Sequence, residues 1–203
     1  MIGIKKKERT MGREAILKSI KQNKPALLPL HEINLEAFSE EVNLLDTFKS
    51  NVELVGGTIQ ELKKNENLTT EINKRYPKAK KIVGNSQTSD IGTIPISKET
   101  EPHQLENIDL AIIKGEFGVA ENGAIWISEQ DFPIRVLPFI TNDLVIVLEK
   151  ENLCLHLHDA YKKIAGRERS FGLFISGPSK TADIEQCLVI GAQGAMSLTV
   201  VLI

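Results

Sequence analysis

Two stretches of this sequence gather the residue types that anion binding or acid–base chemistry requires. The first runs Phe174-Ile175-Ser176-Gly177-Pro178-Ser179-Lys180-Thr181-Ala182-Asp183-Ile184-Glu185. Its pattern predicts a buried strand ending at Ser176, a tight turn, and a helix starting near Ser179 to Thr181 with Ile184, Cys187, Leu188 and Gly191 on its apolar face. The N–H groups of a helix start, the hydroxyls of Ser176, Ser179 and Thr181, the compact Gly177 and the cation of Lys180 would then converge on a cradle for a phosphate or carboxylate. The same residues also read as plain helix capping by Ser179 or Thr181, with Asp183 and Glu185 complementing the helix dipole. Both readings stand on these residues alone. A phosphate-binding P-loop is excluded, because the Gly-Lys-Ser/Thr run is missing and Pro178 removes a donor. Asp183 and Glu185 are two apart, so on a helix they diverge and do not form a metal pair.

The second stretch is Lys114-Gly115-Glu116-Phe117-Gly118-Val119-Ala120-Glu121-Asn122-Gly123-Ala124. Three glycines allow close backbone approach, and a carboxylate held beside buried strands can serve as general base or nucleophile. Two carboxylates, Glu116 and Glu121, lie in this run. The alternative is a hairpin turn at Asn122-Gly123 with its acids in water.

Other chemistry is poorly supported. His156 and His158 flank Leu157 in a predicted helix, where they face different ways and His156 joins Leu153, Leu157, Ala160 and Ile164 on the apolar side. His31 and His103 are remote, so no metal-ligand spacing emerges. Cys154 and Cys187 are distant from each other, and both read as buried, reduced residues within helices. Two cysteines fall short of the spacing that holds a conventional iron–sulfur cluster, so no cofactor is expected on this chain. No nucleophile elbow and no dinucleotide fingerprint is present.

The elements that must position these stretches follow from hydrophobic periodicity. Strands are predicted near Lys81–Val83, Leu110–Ile113, Ala124–Ser128, Leu144–Leu148, Leu173–Ser176 and Leu198–Leu202, with a weaker one at Thr58-Ile59. Helices are predicted near 67–76, 151–165 and 181–191. A long amphipathic helix carrying Leu35, Phe38, Val42, Leu45, Phe48 and Val52 precedes them and stops at Gly56-Gly57. Such alternation implies an α/β fold, a mainly parallel sheet flanked by helices, with one hairpin in the 110–128 region where no crossover helix fits.

At 203 residues and 41% hydrophobic content the chain can bury one full core. A net charge of -2 supplies no field to gather nucleic acid, and no apolar run approaches a membrane span, so a cytoplasmic protein is expected. Residues 1–10 are expected to be a disordered extension before a single domain over 11–203. Met11 directly precedes a helical pattern with Ile16, Leu17 and Ile20 on one face.

The run Ser176 to Glu185, SGPSKTADIE, resembles the C-terminal signature of the lactate utilization protein C family, the LUD domain proteins. Leu188–Gly194 and Leu198–Ile203 resemble the segments that close that family's domain, and Asn142–Tyr161 also fits. Gly118–Ala124 is similar to its central Gly-Ile-Ala-Glu-Thr-Gly-Thr stretch. Asn122 and Ala124 replace the two threonines, while Glu121 is retained, which makes it the candidate acid or base, with Gly118 and Gly123 shaping its loop. The resemblance implies a fold like that of the CoA transferase and ribose-phosphate isomerase superfamily. It also implies a non-redox role in bacterial oxidation of L-lactate to pyruvate, with iron–sulfur partner proteins carrying the clusters and a small carboxylate or other anion as ligand. Two alternatives stay open: a stand-alone acyl- or proton-transfer enzyme, and a carboxylate-sensing regulatory module.

Overall fold

Strand β11 (Ser197–Leu202) has the sequence Ser-Leu-Thr-Val-Val-Leu, buried on both faces from Leu198 to Leu202, and such a strand is covered on both sides. In the computed structural model, which describes residues 12–29, 31, 34, 41–84, 91–132, 134–167, 170–182 and 187–203, it lies inside a five-stranded parallel sheet. The other strands are β1 (Thr58–Glu61), β2 (Ile82–Gly84), β3 (Leu110–Lys114) and β6 (Asp143–Leu148), in the order β1-β11-β6-β3-β2. Register pairs Leu198, Val200 and Leu202 with Leu144, Ile146 and Leu148. The period of two sends these residues, with Ala111, Ile113 and Val83, into the larger core. Val145, Val147, Leu110, Ile112, Ile82 and Val201 point the other way and pack with Ile72.

Ile72 belongs to helix α3 (Leu68–Arg75), which Asn67 caps by accepting the Thr70 N–H. The hydroxyls of Tyr76 and Thr199 share a hydrogen bond of 2.7 Å that ties the end of α3 to β11. Helix α2 (Leu44–Leu54) buries Phe48 and Val52 in the larger core.

A second sheet, absent from the sequence-based expectation, closes that core. Its order is β7-β4-β5-β8, from β4 (Phe117–Val119), β5 (Ala124–Ser128), β7 (Leu153–Cys154) and β8 (Gly172–Ile175). Ile125 and Ile127 of β5 face the first sheet. On the opposite face Phe117, Val119, Ala124 and Cys154 meet Ala160, Leu157 and Ile164 of helix α5 (Leu157–Ala165). Trp126 and Phe174 add an aromatic pair there, with centroids 4.8 Å apart. The short helix α4 (Leu137–Ile140) leads into β6.

Several expectations are corrected. The 110–128 hairpin joins β4 to β5, while Leu110–Lys114 belongs to the parallel sheet. Leu173–Ser176 is not a buried strand of that sheet: β8 is half-buried and pairs antiparallel with β5. The helix expected over 151–165 begins only at Leu157, because residues 153–154 extend as β7 beside β4. No helix forms in the described part of 181–191. Lys180-Thr181 (β9) and Val189-Ile190 (β10) form an antiparallel ribbon instead, as β-branched Val189 and Ile190 favour. Cys187 is exposed rather than buried, and neither cysteine is in a helix. The long helix expected up to Gly56 begins at Leu44, because the Asn43 side chain accepts the Leu45 and Asp46 N–H groups. Leu35 and Phe38, the 1–10 extension, and Asp183, Ile184 and Glu185 lie outside the described residues.

The chain divides into units 1–41 and 42–203. In the first, helix α1 (Arg13–Gln22) presents exposed Ile16, Leu17 and Ile20 and buries none of its residues. Among the described residues no helix is long and apolar enough to cross a membrane.

Candidate functional site

The turn between β4 and β5 carries Glu121, and three elements fix it. Ala120 and Glu121 donate their backbone N–H groups to the carbonyls of Cys154 and Leu155, at 2.8 and 3.0 Å, which extends the β4–β7 pairing past the end of β4. From helix α2, Asn51 donates its side-chain N–H to the Ala120 carbonyl at 2.7 Å. Asn122 closes the turn by accepting the Ala124 N–H at 3.0 Å through its own side chain.

Two glycines let these pieces come so close. Gly123 has φ +66, and a Cβ there would lie 2.7 Å from the Val52 nitrogen. At Gly118 a Cβ would stand 2.8 Å from both Phe48 Cε2 and Leu153 Cδ2. The close approach expected of this glycine-rich loop is therefore present, against α2 and β7.

The Glu121 carboxylate uses both oxygens. Oε1 accepts the Leu157 N–H at 2.8 Å, at the start of α5 where a negative charge is favoured. Oε2 lies 2.8 Å from His156 Nδ1. Side-chain exposures of 36% for Glu121 and 22% for His156 leave the pair reachable from solvent while partly enclosed. His156 is thus not a core histidine on an apolar helix face: it is extended and precedes the first turn of α5. Reading 151–165 as one helix concealed it, although the alternation Leu153, Leu155, Leu157 against Cys154 and His156 carries the period of a strand. Beneath the pair, burial pushes the Cys154 thiol above its ordinary range, with the charges of Asp159 and Glu121 adding to the rise and that of Lys163 opposing it.

The second predicted stretch meets the first. Ser176 Oγ donates to the Asn122 carbonyl at 2.9 Å, so the turn after β8 sits against the Glu121 loop. Gly177, buried with φ +74, packs against the Val55 carbonyl. Lys180 Nζ donates to that same carbonyl, placing a cation at the negative end of α2. Ser179 faces elsewhere: its N–H donates to the Ala195 carbonyl at 2.8 Å and its hydroxyl oxygen accepts the Gln193 N–H at 3.4 Å. Thr181 is in β9, and none of the described residues 179–182 is helical, so a helix start at Ser179 to Thr181 does not supply the donors expected there. Glu121, Gly123, Ser176, Gly177 and Lys180 are gathered around the C-terminal half of α2, whereas Ser179 and Thr181 belong to the ribbon and its neighbouring loop.

Residues 45–203 match the LUD domain family. The chain belongs to this family. Among curated proteins the LUD chain is similar to the lactate utilization protein C of Bacillus pumilus, 30% identical over 53% of this chain and 50% of that one. A protein of the same name from Shouchella clausii is 30% identical over 46% and 43% of the two chains. The matched part spans about half the length of these relatives. Among solved structures, a DUF162 family protein from Deinococcus radiodurans superposes with a TM-score of 0.60, covering 78% of the LUD chain and 95% of its own. At 16% identity that likeness concerns the fold.

A separate polar cleft of about 390 Å³ is lined by Lys114, Glu116, Gln130, Asp131, Glu149 and Asn152. Lys114 pairs with Glu149 at 3.3 Å, and Arg167 with Glu116. Among the described residues no group of His, Cys, Asp and Glu side chains is placed to hold a metal ion. Asp131 is 8% exposed, and burial raises its pKa above the ordinary 3.8, with the Glu116 charge adding to the rise and the Ser128 hydrogen bonds opposing it. The folded state therefore holds that proton more tightly than the unfolded chain. The associated stability is complete below pH 3.8 and is lost as pH rises through the raised value. Asp131→Asn should remove this loss, so melting temperatures measured across a pH series should favour the variant increasingly as Asp131 ionises in the natural chain. A constant difference between the two proteins would exclude it.

Proposed function

We propose that this chain works in bacterial L-lactate utilization, as a component without a redox centre of its own that acts beside iron–sulfur proteins in oxidising lactate to pyruvate. The observation that carries the reading is the LUD domain over residues 45–203, together with relatives named lactate utilization protein C. The cysteine inventory supports it: the sequence holds two, of which Cys154 is buried in β7. A cluster of the conventional kind needs four. On this reading the electrons move on partner proteins in the cytoplasm, and this chain binds a small carboxylate near Glu121 and Ser176. Gly118, Gly123 and Gly177 shape the approach, and Ser179, Lys180 and Thr181 line the neighbouring ribbon. The same reading extends the domain to residue 11, ahead of the matched segment.

L-lactate oxidation in extracts of a strain lacking the gene tests this. Activity should be lost, and the natural chain should restore it. Undiminished oxidation in the deletion strain would detach the protein from lactate. A second reading, a stand-alone enzyme moving a proton or acyl group, is favoured by one observation: the carboxylate–imidazole contact of 2.8 Å between Glu121 and His156. It predicts turnover of a small anionic substrate by the purified chain with no partner added.

A further inference from the structure

The net charge of -2 conceals a division along the chain. Residues 1–24 hold eight basic side chains and two acidic ones, a net charge of +6, so residues 25–203 carry -8. Within the basic segment lies helix α1, which buries none of its residues and leaves Ile16, Leu17 and Ile20 exposed. Helical spacing makes Arg13 and Lys21 the i−4 and i+4 neighbours of Leu17, so a cation stands at each end of the apolar stripe. Past the helix, Lys24 is followed by Leu27 and Leu28, both almost fully exposed. We propose that this segment docks the protein on an anionic lipid bilayer, with α1 lying in the plane of the interface. Ile16, Leu17 and Ile20 enter the headgroup region, while Arg13, Lys18, Lys21 and Lys24 meet the lipid charges.

A nucleic acid would use the cations and leave the apolar stripe uncovered. A groove in a partner protein reads a helix at i, i+3 or i+4, and i+7. Seven residues after Ile16 stands Asn23, the C-cap, so that third anchor is missing. A lipid interface takes apolar side chains from helical and non-helical backbone alike, and Leu27 and Leu28 then add to the stripe. The stripe is small for an anchor, so adsorption is reversible and depends on the charges. The -8 of the remaining chain is repelled by the same surface, which disfavours attachment anywhere else. Neither the cations nor the stripe belongs to the site around Glu121, and docking therefore stands apart from the lactate reading.

Co-sedimentation of the full-length protein with vesicles tests this, using phosphatidylcholine alone and phosphatidylcholine with about a third replaced by phosphatidylglycerol. The natural chain should bind the anionic vesicles at least about tenfold more tightly than the neutral ones. Raising the salt from about 0.05 to about 0.5 M should release it, as screening shortens the reach of the charges. Lys18→Gln combined with Lys21→Gln should weaken binding about thirtyfold, because each cation near such a surface contributes a factor of about five. Ile16→Ser, Leu17→Ser and Ile20→Ser together should weaken it at least about tenfold with no change in net charge, which separates docking of the helix from plain charge attraction. All five side chains are exposed, so the melting midpoints of both variants should match that of the natural chain. Failure of the natural chain to bind anionic vesicles would overturn the docking, and would leave the segment to an acidic protein, a nucleic acid or its own chain. Equal binding to both kinds of vesicle, or full binding by either variant, would overturn it as well.

Discussion

Gly123→Ala should cost the protein a large part of its stability. The residue sits at φ +66, where a side chain costs about 1–2 kcal/mol. The added Cβ would also lie 2.7 Å from the Val52 nitrogen, 2.9 Å from the Asn51 carbonyl carbon and 3.0 Å from the Val52 Cα. All three are helix backbone atoms, which cannot swing aside as the end of a side chain would, so the overlap adds about 1–3 kcal/mol. Against a total of about 5–15 kcal/mol for a typical domain, such a loss is severe. Urea unfolding gives the magnitude. A change below about 0.5 kcal/mol, the range of an ordinary surface substitution, would show that the turn can lift off α2 at little cost. Because the turn carries Glu121, the same variant should weaken the hold on His156 without altering either residue of the pair.

Phe48→Ala is the second large effect. The ring is fully buried in the core between the two sheets, and it lies against the Gly118 backbone of β4. Truncation leaves a cavity bounded by strands that cannot collapse together, so a loss of about 3–5 kcal/mol is expected. Phe139→Ala is the control, since that ring is 43% exposed and its removal should cost within about 0.5 kcal/mol. Equal losses at the two positions would contradict the burial described for Phe48. Thermal or urea unfolding of both variants decides.

The parallel sheet was readable in the sequence because its strands are apolar on both faces and bounded by polar turns. Leu110–Ile113, Leu144–Leu148 and Leu198–Leu202 are each recovered within one residue, and in the second sheet Ala124–Ser128 is recovered residue for residue. What escaped was short. Strands β4, β7, β9 and β10 have two or three residues each, too few for a period to declare itself, and their pairing is set by contacts distant in sequence. The 181–191 segment has helical apolar spacing, yet Val189-Ile190 pair with Lys180-Thr181 in a ribbon. The helix start expected at Ser179 to Thr181 is replaced by non-helical backbone over the described residues 179–182. The glycine-rich run offered Glu116 and Glu121 alike, and only the family resemblance singled out Glu121. Its partner was not legible, because a Glu–His contact across 35 residues leaves no local pattern. The turns of Glu121 and Ser176 were each identified as candidates, but their juxtaposition through the Ser176–Asn122 hydrogen bond required the fold.

The strand order has a bearing on how the protein comes off the ribosome. β11 is the last of the five parallel strands to be synthesised, yet it lies between β1, the first, and β6. Until Ser197–Leu202 emerges, β1 has no neighbour in that sheet, and β6 exposes a hydrogen-bonding edge along Leu144–Leu148. From the synthesis of β6 until β11 follows, the nascent chain thus holds an open, apolar edge, and an unpaired edge of that kind invites pairing with other chains. Closure comes as a late insertion between two waiting strands rather than as growth outward from an edge. Slow elongation through the codons before β11 therefore lengthens the aggregation-prone interval, which makes translation pace and chaperone supply determinants of the folded yield.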